Sequence, residues 1–223
     1  MNAGGTTLHR ERMDRFAQAG LYLVTSQALS AGRGTPEIVR AALDAGVRLV
    51  QLREKELGGR DLFRLAEEVR RLTADAGALL VVNDRLDVAL AAGADGVHLG
   101  QGDLPVAAAR AVAPDLVIGA SSHNPAEARA AEAAGASYVN IGPLFTTGTK
   151  PWSGEFLGVE GLRRIAPVLH VPFTVMGGIK LEHIPSLLPA GARTIAVVTA
   201  VTAAERPGAA ARELLAALRR GTT

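Results

Sequence analysis

One recurring phrase constrains the fold of this chain more than any other feature: a helix-like segment ends in Ala-Gly, and a short apolar run begins within a few residues. It occurs as Ala19-Gly20 before residues 21–25, Ala45-Gly46 before 49–52 and Ala76-Gly77 before 79–82. It returns as Ala92-Gly93 before 96–99, Ala134-Gly135 before 138–141 and Ala190-Gly191 before 194–198. Glycine just past a helix adopts the left-handed conformation without steric cost and turns the chain toward the next strand. Two more apolar runs, 116–120 and 173–176, fill the gaps, which makes eight. Helical patterns lie between them, most clearly over 60–73, where Leu62, Leu65, Ala66, Val69 and Leu72 share a face. Strands that are apolar throughout and alternate with helices indicate a parallel sheet covered on its outside. Eight such units predict an α/β fold, a single closed (β/α)8 TIM barrel. A doubly wound open sheet is the alternative, but no Gly-x-Gly-x-x-Gly follows the first strand, which argues against a dinucleotide fold.

The 223 residues suit one barrel domain over 10–219, with loose ends at 1–9 and 220–223. Only 4% of residues are aromatic, so Ala, Val, Leu and Ile must build the core. There is no Cys, which excludes disulfides, thiolate metal sites and a Cys nucleophile. No two His have the spacing of a zinc-binding helix. The net charge is +2 and the basic residues form no long run, which gives nucleic-acid binding little support. No apolar stretch is long enough to span a membrane, and the first residues lack the apolar core of a secretory signal, so a cytoplasmic location is the expectation. A homo-oligomer is compatible with the sequence.

Barrels of this type carry their chemistry at the C-terminal ends of the strands, and nearly every predicted strand here runs into polar residues. The second ends in Gln51, Arg53, Glu54 and Lys55, the third in Asn83 and Asp84, and the fourth in His98 and Gln101 with Asp103 beyond. The fifth ends in Ser121, Ser122 and His123. The sixth leads into a long loop with Thr147, Thr149 and Lys150; the seventh ends in Gly177-Gly178 and the eighth in Val198-Thr199. Alternation puts Gln51, Arg53 and Lys55 on one side of their strand, where two cations and an amide suit an anionic heteroaromatic ligand; a solvated strand end is the alternative. Glu54, between them, is counted among the candidate substrate-binding residues. Asp84 and Asp103 follow neighbouring strands and suit Mg²⁺, although each alone reads more readily as a helix cap. The loops after strands seven and eight are the recurrent phosphate site of this fold. Lys150, one of few lysines in an Arg-rich chain, sits in a loop long enough to be a lid. His98 reads as a core histidine under the barrel mouth.

In this order, Val50-Gln-Leu-Arg-Glu-Lys55, Val82-Asn-Asp-Arg85, Asp95-Gly-Val-His-Leu-Gly-Gln101 with Asp103, Gly119-Ala-Ser-Ser-His123, Ile141-Gly-Pro143 with Thr147-Gly-Thr-Lys150, Gly177-Gly-Ile179 and Val198-Thr-Ala200 resemble the thiamine phosphate synthase family. The resemblance spans about residues 20–205. It implies a phosphate-binding barrel whose small-molecule substrates are a pyrimidine diphosphate, held by Gln51, Arg53 and Lys55 with Asn83 and Ser121, and a thiazole phosphate. Thr147 and Thr149 would contact the thiazole phosphate, and Gly178, Val198 and Thr199 would bind its phosphate. Asp84 and Asp103 would bind Mg²⁺, and Lys150 the diphosphate, so that Arg53, Lys55 and Lys150 are the candidate catalytic residues. The implied reaction is dissociative and releases pyrophosphate. The chain departs from the family in having Thr146 where Pro is common and Thr199 where Ser is frequent. Rival readings are a thiazole tautomerase using His123 as acid and base, and a non-catalytic barrel that binds phosphorylated ligands.

Overall fold

The computed structural model describes residues 6–149 and 152–220. Eight parallel strands close into a barrel in chain order: β1 (Leu21–Val24), β2 (Leu49–Leu52), β3 (Leu79–Asn83), β4 (Gly96–Leu99), β5 (Val117–Ser122), β6 (Tyr138–Ile141), β7 (Phe173–Val175) and β8 (Thr194–Val197). Pairing of Leu21 with Ile195 joins the last strand to the first. Each of the eight expected runs is a strand, within two residues at either end. All six glycines of the Ala-Gly phrases have positive φ, between 62° and 105°, as the turn into each strand requires.

The helices are α1 (Thr7–Ala17), α2 (Thr35–Asp44), α3 (Gly59–Asp75), α4 (Leu86–Ala91), α5 (Val106–Val112), α6 (Pro125–Ala133), α7 (Gly158–Ile165), α8 (Ile184–Leu187), α9 (Thr199–Thr202) and α10 (Pro207–Arg220). One face of every strand packs outward on these helices in a large aliphatic core that includes Leu23, Val50, Leu80, Ile118, Val139 and Ile195. The other face fills the barrel. Tyr22, Leu49, Leu79, Val81, Val117, Tyr138 and Ala196 form a separate inner cluster, joined by Phe16 of α1.

Helix α1 lies across the N-terminal end of the barrel. The Phe16 ring sits 4.5 Å from that of Tyr138. Arg12 Nε reaches Asp95 Oδ1 at 3.3 Å, and Arg70 Nη1 reaches Asp95 Oδ2 at 2.8 Å. Of the stretch 1–9 expected to be loose, the described residues 6–9 instead cap and begin α1. The helix begins at Thr7 because Thr6 caps it, its Oγ1 accepting from His9 N at 3.1 Å, and Thr6 Oγ1 also donates to Asp115. At the other end α10 extends to Arg220. With the bottom closed by α1, the opposite mouth is the open end of the barrel.

Candidate active site

Strand periodicity brings the polar residues of the mouth together. Along β2 the inward positions are Leu49 and Gln51, and the chain continues to Arg53 and Lys55 on the same side. One cavity at the mouth is lined by Gln51, Arg53, Lys55, Asn83, Asp84, Asp103, Ser121, Thr147, Thr149, Gly178, Val198 and Thr199, with His98 and His123. Lys150 lies outside the described residues. Of the candidate site residues that the structure describes, one is not in that lining. Glu54 borders a neighbouring groove shared with Arg53, Lys55 and Thr149. Its carboxylate accepts from Thr25 Oγ1 at 2.8 Å, Thr35 Oγ1 at 2.6 Å and the Gln27 amide at 2.8 Å. Thr25 Oγ1 in turn accepts from the Arg53 amide at 2.9 Å. Strand alternation sends Glu54 to the side opposite Arg53 and Lys55, so it ties the ends of β1 and β2 to α2 and holds its two cationic neighbours in place.

The acidic pair converges from two loops. Asp84 has φ of 61°, a left-handed conformation that aspartate tolerates better than most residues. Its amide donates to the His98 carbonyl at 2.8 Å, which turns its side chain toward the mouth, where it meets the Lys55 ammonium. Neither aspartate is a helix cap: Arg85 and Pro105 occupy the N-cap positions of α4 and α5, without side-chain cap bonds. Asp103 Oδ2 accepts from the Gly100 amide at 2.7 Å. Partial burial raises the Asp103 pKa, and a hydrogen bond with the Asp84 carboxyl raises it further. Two carboxyl groups share one small space here, with one ammonium beside them.

At the phosphate end, Gly178 has φ of 61°, and a Cβ there would run into the carbonyl oxygens of Thr146 and Phe145. The loops after β6 and β7 can approach this closely only with glycine at that position. Thr147 Oγ1 accepts from the Thr149 amide at 3.2 Å, folding the start of the long loop back on itself.

A family model described as thiamine monophosphate synthase matches residues 21–201. That is most of the chain, and all eight strands. The chain belongs to this family. It is 46% identical over 198 residues to the thiamine-phosphate synthase of Moorella thermoacetica, covering 88% of this chain and 94% of that protein. The synthase of Chloroflexus aurantiacus is 46% identical over 196 residues, covering 88% and 91%. Among solved structures, the thiamine phosphate pyrophosphorylase of Pyrococcus furiosus superposes with a TM-score of 0.86 at 36% identity, covering 93% of this chain and 98% of that one.

The barrel also contains lining residues that sequence reasoning passed over. Asn140 lies on β6 in register with Ser121 of β5. Its Oδ1 accepts from Thr174 Oγ1 at 2.8 Å, which leaves its amide nitrogen for the cavity. A polar residue within the run Tyr-Val-Asn-Ile was the available signal. Trp152 lines the cavity too, its ring stacked 4.7 Å from His123. His123 Nδ1 meets Glu127 Oε2 at 2.8 Å. His98 is buried, and burial lowers its pKa to about 4, so its imidazole is neutral near pH 7.

Proposed function

We propose that the mouth cavity couples 4-amino-2-methyl-5-pyrimidinylmethyl diphosphate to a (carboxy)thiazole phosphate, releasing thiamine phosphate and pyrophosphate, and CO2 as well where the thiazole carries the carboxylate. Membership of the family supports the reaction. One observation carries its assignment to this cavity: a cluster of Arg53, Lys55, Asp84 and Asp103 sits on one side of a floor of uncharged hydrogen-bonding groups, Gln51, Asn83 and Ser121. A diphosphate on a heteroaromatic ring needs both. Among the described residues the Arg53 guanidinium has no ion-pair partner in the protein, which suits a group that waits for an anionic ligand.

Magnesium fits these donors. It is a hard cation commonly held by one or two carboxylates together with substrate phosphate oxygens. The Asp84 and Asp103 carboxyls face each other closely enough to raise the Asp103 pKa. Among the described residues no three metal-ligating side chains cluster, so the diphosphate oxygens would supply the remaining ligands. When bound, the ion would neutralise charge on the departing pyrophosphate.

The residues of the chain do the rest by position. Gln51, Asn83 and Ser121 orient the pyrimidine ring. Arg53 and Lys55 meet the diphosphate, a role the family resemblance also gives Lys150, and negative charge grows there as the methylene C–O bond breaks and its electron pair leaves with pyrophosphate. The thiazole is held by Thr147 and Thr149, with its phosphate at Gly178, Val198 and Thr199. Its nitrogen lone pair then forms the new C–N bond with the pyrimidinylmethyl cation. No proton moves in this step, so catalysis rests on positioning and electrostatics. Glu54 takes no direct part and acts through the placement of Arg53 and Lys55. We place the enzyme in the cytoplasm.

Purified chain, both substrates and Mg²⁺ are expected to give thiamine phosphate and pyrophosphate in equal amounts. A chelator should stop turnover and Mg²⁺ restore it. Asp84→Asn and Asp103→Asn should each lower kcat by about 10²-fold, as loss of one transition-state contact does, with unchanged melting. Full activity in chelator would remove the metal; absence of product would overturn the reaction. One observation favours a second reading, tautomerisation of the thiazole: His123, oriented by Glu127, reaches the cavity wall. Conversion of the thiazole precursor without any pyrimidine diphosphate would identify it.

A further inference from the structure

Beneath the cavity floor a continuous hydrogen-bonded chain crosses the barrel interior. Gln51 Nε2 donates to the Tyr22 hydroxyl at 2.8 Å. The hydroxyls of Tyr22 and Tyr138 are 2.9 Å apart. Tyr138 OH is 2.9 Å from His98 Nδ1, and His98 Nε2 is 2.9 Å from Ser121 Oγ. Tyr22 and Tyr138 are fully buried and do not line the cavity, whereas Gln51 and Ser121 at the two ends do. Strands β2 and β5 are three places apart in a ring of eight, so these ends face each other across the mouth.

The fold makes room for this chain. Gly119 on β5 pairs in register with Tyr138, and a Cβ at Gly119 would overlap the Tyr138 ring carbon that bears the hydroxyl, and the hydroxyl itself. Glycine here clears the place from which Tyr138 reaches both Tyr22 and His98. Packing alone would be satisfied by phenylalanine, since the Tyr138 ring already packs against Phe16 and stacks on His98.

We propose that Tyr22, Tyr138 and His98 are positioning residues that couple Gln51 to Ser121, so that the two always offer hydrogen-bonding groups of opposite polarity to the ring bound between them. The reason is proton bookkeeping. Each buried hydroxyl has one proton to donate, and a neutral imidazole has one N–H and one bare nitrogen. Only two arrangements leave no bond broken. In the first, Gln51 donates to Tyr22, Tyr22 to Tyr138 and Tyr138 to His98 Nδ1, and His98 Nε2–H donates to Ser121. Gln51 then offers its carbonyl oxygen to the cavity and Ser121 its hydroxyl proton. In the second every donor and acceptor is reversed, and so are both ends. Any mixed state leaves a buried polar group unsatisfied, at a cost comparable to a lost hydrogen bond. The amide nitrogen on Tyr22 corresponds to the first arrangement.

The inference rests on the placement of the pyrimidine at Gln51 and Ser121 and adds a specificity rule to it. A ring with a donor on one side and an acceptor opposite satisfies both ends at once. A 4-aminopyrimidine is such a ring, with its exocyclic amine across from a ring nitrogen. The 4-oxo analogue in its N3–H tautomer carries acceptors at both positions and can satisfy only one; it must shift to the N1–H tautomer to satisfy both.

The test compares the 4-amino and 4-oxo pyrimidinylmethyl diphosphates, by kcat/KM in coupling and by calorimetric binding, for the parent, Tyr138→Phe and Tyr22→Phe. The parent should favour the amine by about 10²-fold or more, as a site with paired polar groups does. Either variant should reduce that preference at least about tenfold, with KM for the thiazole phosphate unchanged. A purely structural role would lower both analogues equally and leave their ratio as in the parent; that result, in variants that melt as single folded species, overturns the proposal. Tyr22→Phe cuts the chain at another point should Tyr138→Phe misfold. If the parent binds the amine selectively but does not couple it, the reaction assigned to the cavity fails while the relay stands.

Discussion

His123 is the residue that separates the two readings proposed for this cavity. Its ring lies against Trp152, and its Nδ1 is held by Glu127, an arrangement suited to acid–base work. Formation of the C–N bond requires no proton transfer, so the coupling account leaves His123 no proton to move. His123→Gln should therefore retain most coupling activity, within about tenfold of the parent in kcat, when rates are compared under saturating substrates. A fall of about 10³-fold, the scale of losing a general base, would give His123 a catalytic role. Most of the cavity lining was readable from sequence at this scale, because strand alternation and the rule that chemistry sits at strand ends together place Gln51, Arg53, Lys55, Asp84, Asp103 and Ser121. Tyr22 and Tyr138 were not readable. Each stands in an apolar run where a tyrosine normally just packs, and their partners are 29 to 116 residues away in sequence.

At the scale of elements, the catalytic and stabilising ends of the barrel are separate. The Arg12–Asp95–Arg70 cluster and Phe16 bind α1 to the bottom, far from the loops that bear the cavity. Asp95 is only 3% exposed, and besides the two arginines it accepts from the Leu80 amide at 3.0 Å. Asp95→Ala would leave Arg12 largely buried without its counter-ion, at a cost of about 3 to 5 kcal/mol. Thermal melts should register that loss, while kcat per folded molecule at low temperature should be unchanged. A comparable fall in kcat would mean that the two ends of the barrel communicate. The Ala-Gly phrases made the strands legible with little error, since each fixes a helix end and a strand start together. Glu54 shows where element reasoning was needed: its number in the motif says nothing of the direction it faces, and alternation along β2 turns it away from Arg53 and Lys55 into the ties that hold α2.

Taken as a whole, the barrel divides its mouth into three regions. An uncharged floor lies across β2 and β5, a charged wall is formed by Arg53, Lys55, Asp84 and Asp103, and a glycine-rich rim follows β7 and β8. The central claim is that these regions hold, in that order, the pyrimidine, the diphosphate and the thiazole phosphate. A crystal structure of the chain with thiamine phosphate, pyrophosphate and Mg²⁺ bound tests it most directly. The account predicts the pyrimidine between Gln51 and Ser121, pyrophosphate and the metal against Arg53, Lys55, Asp84 and Asp103, and the phosphate ester at Gly178, Val198 and Thr199. Pyrophosphate seated on the glycine-rich rim, or a pyrimidine away from Gln51 and Ser121, would contradict it.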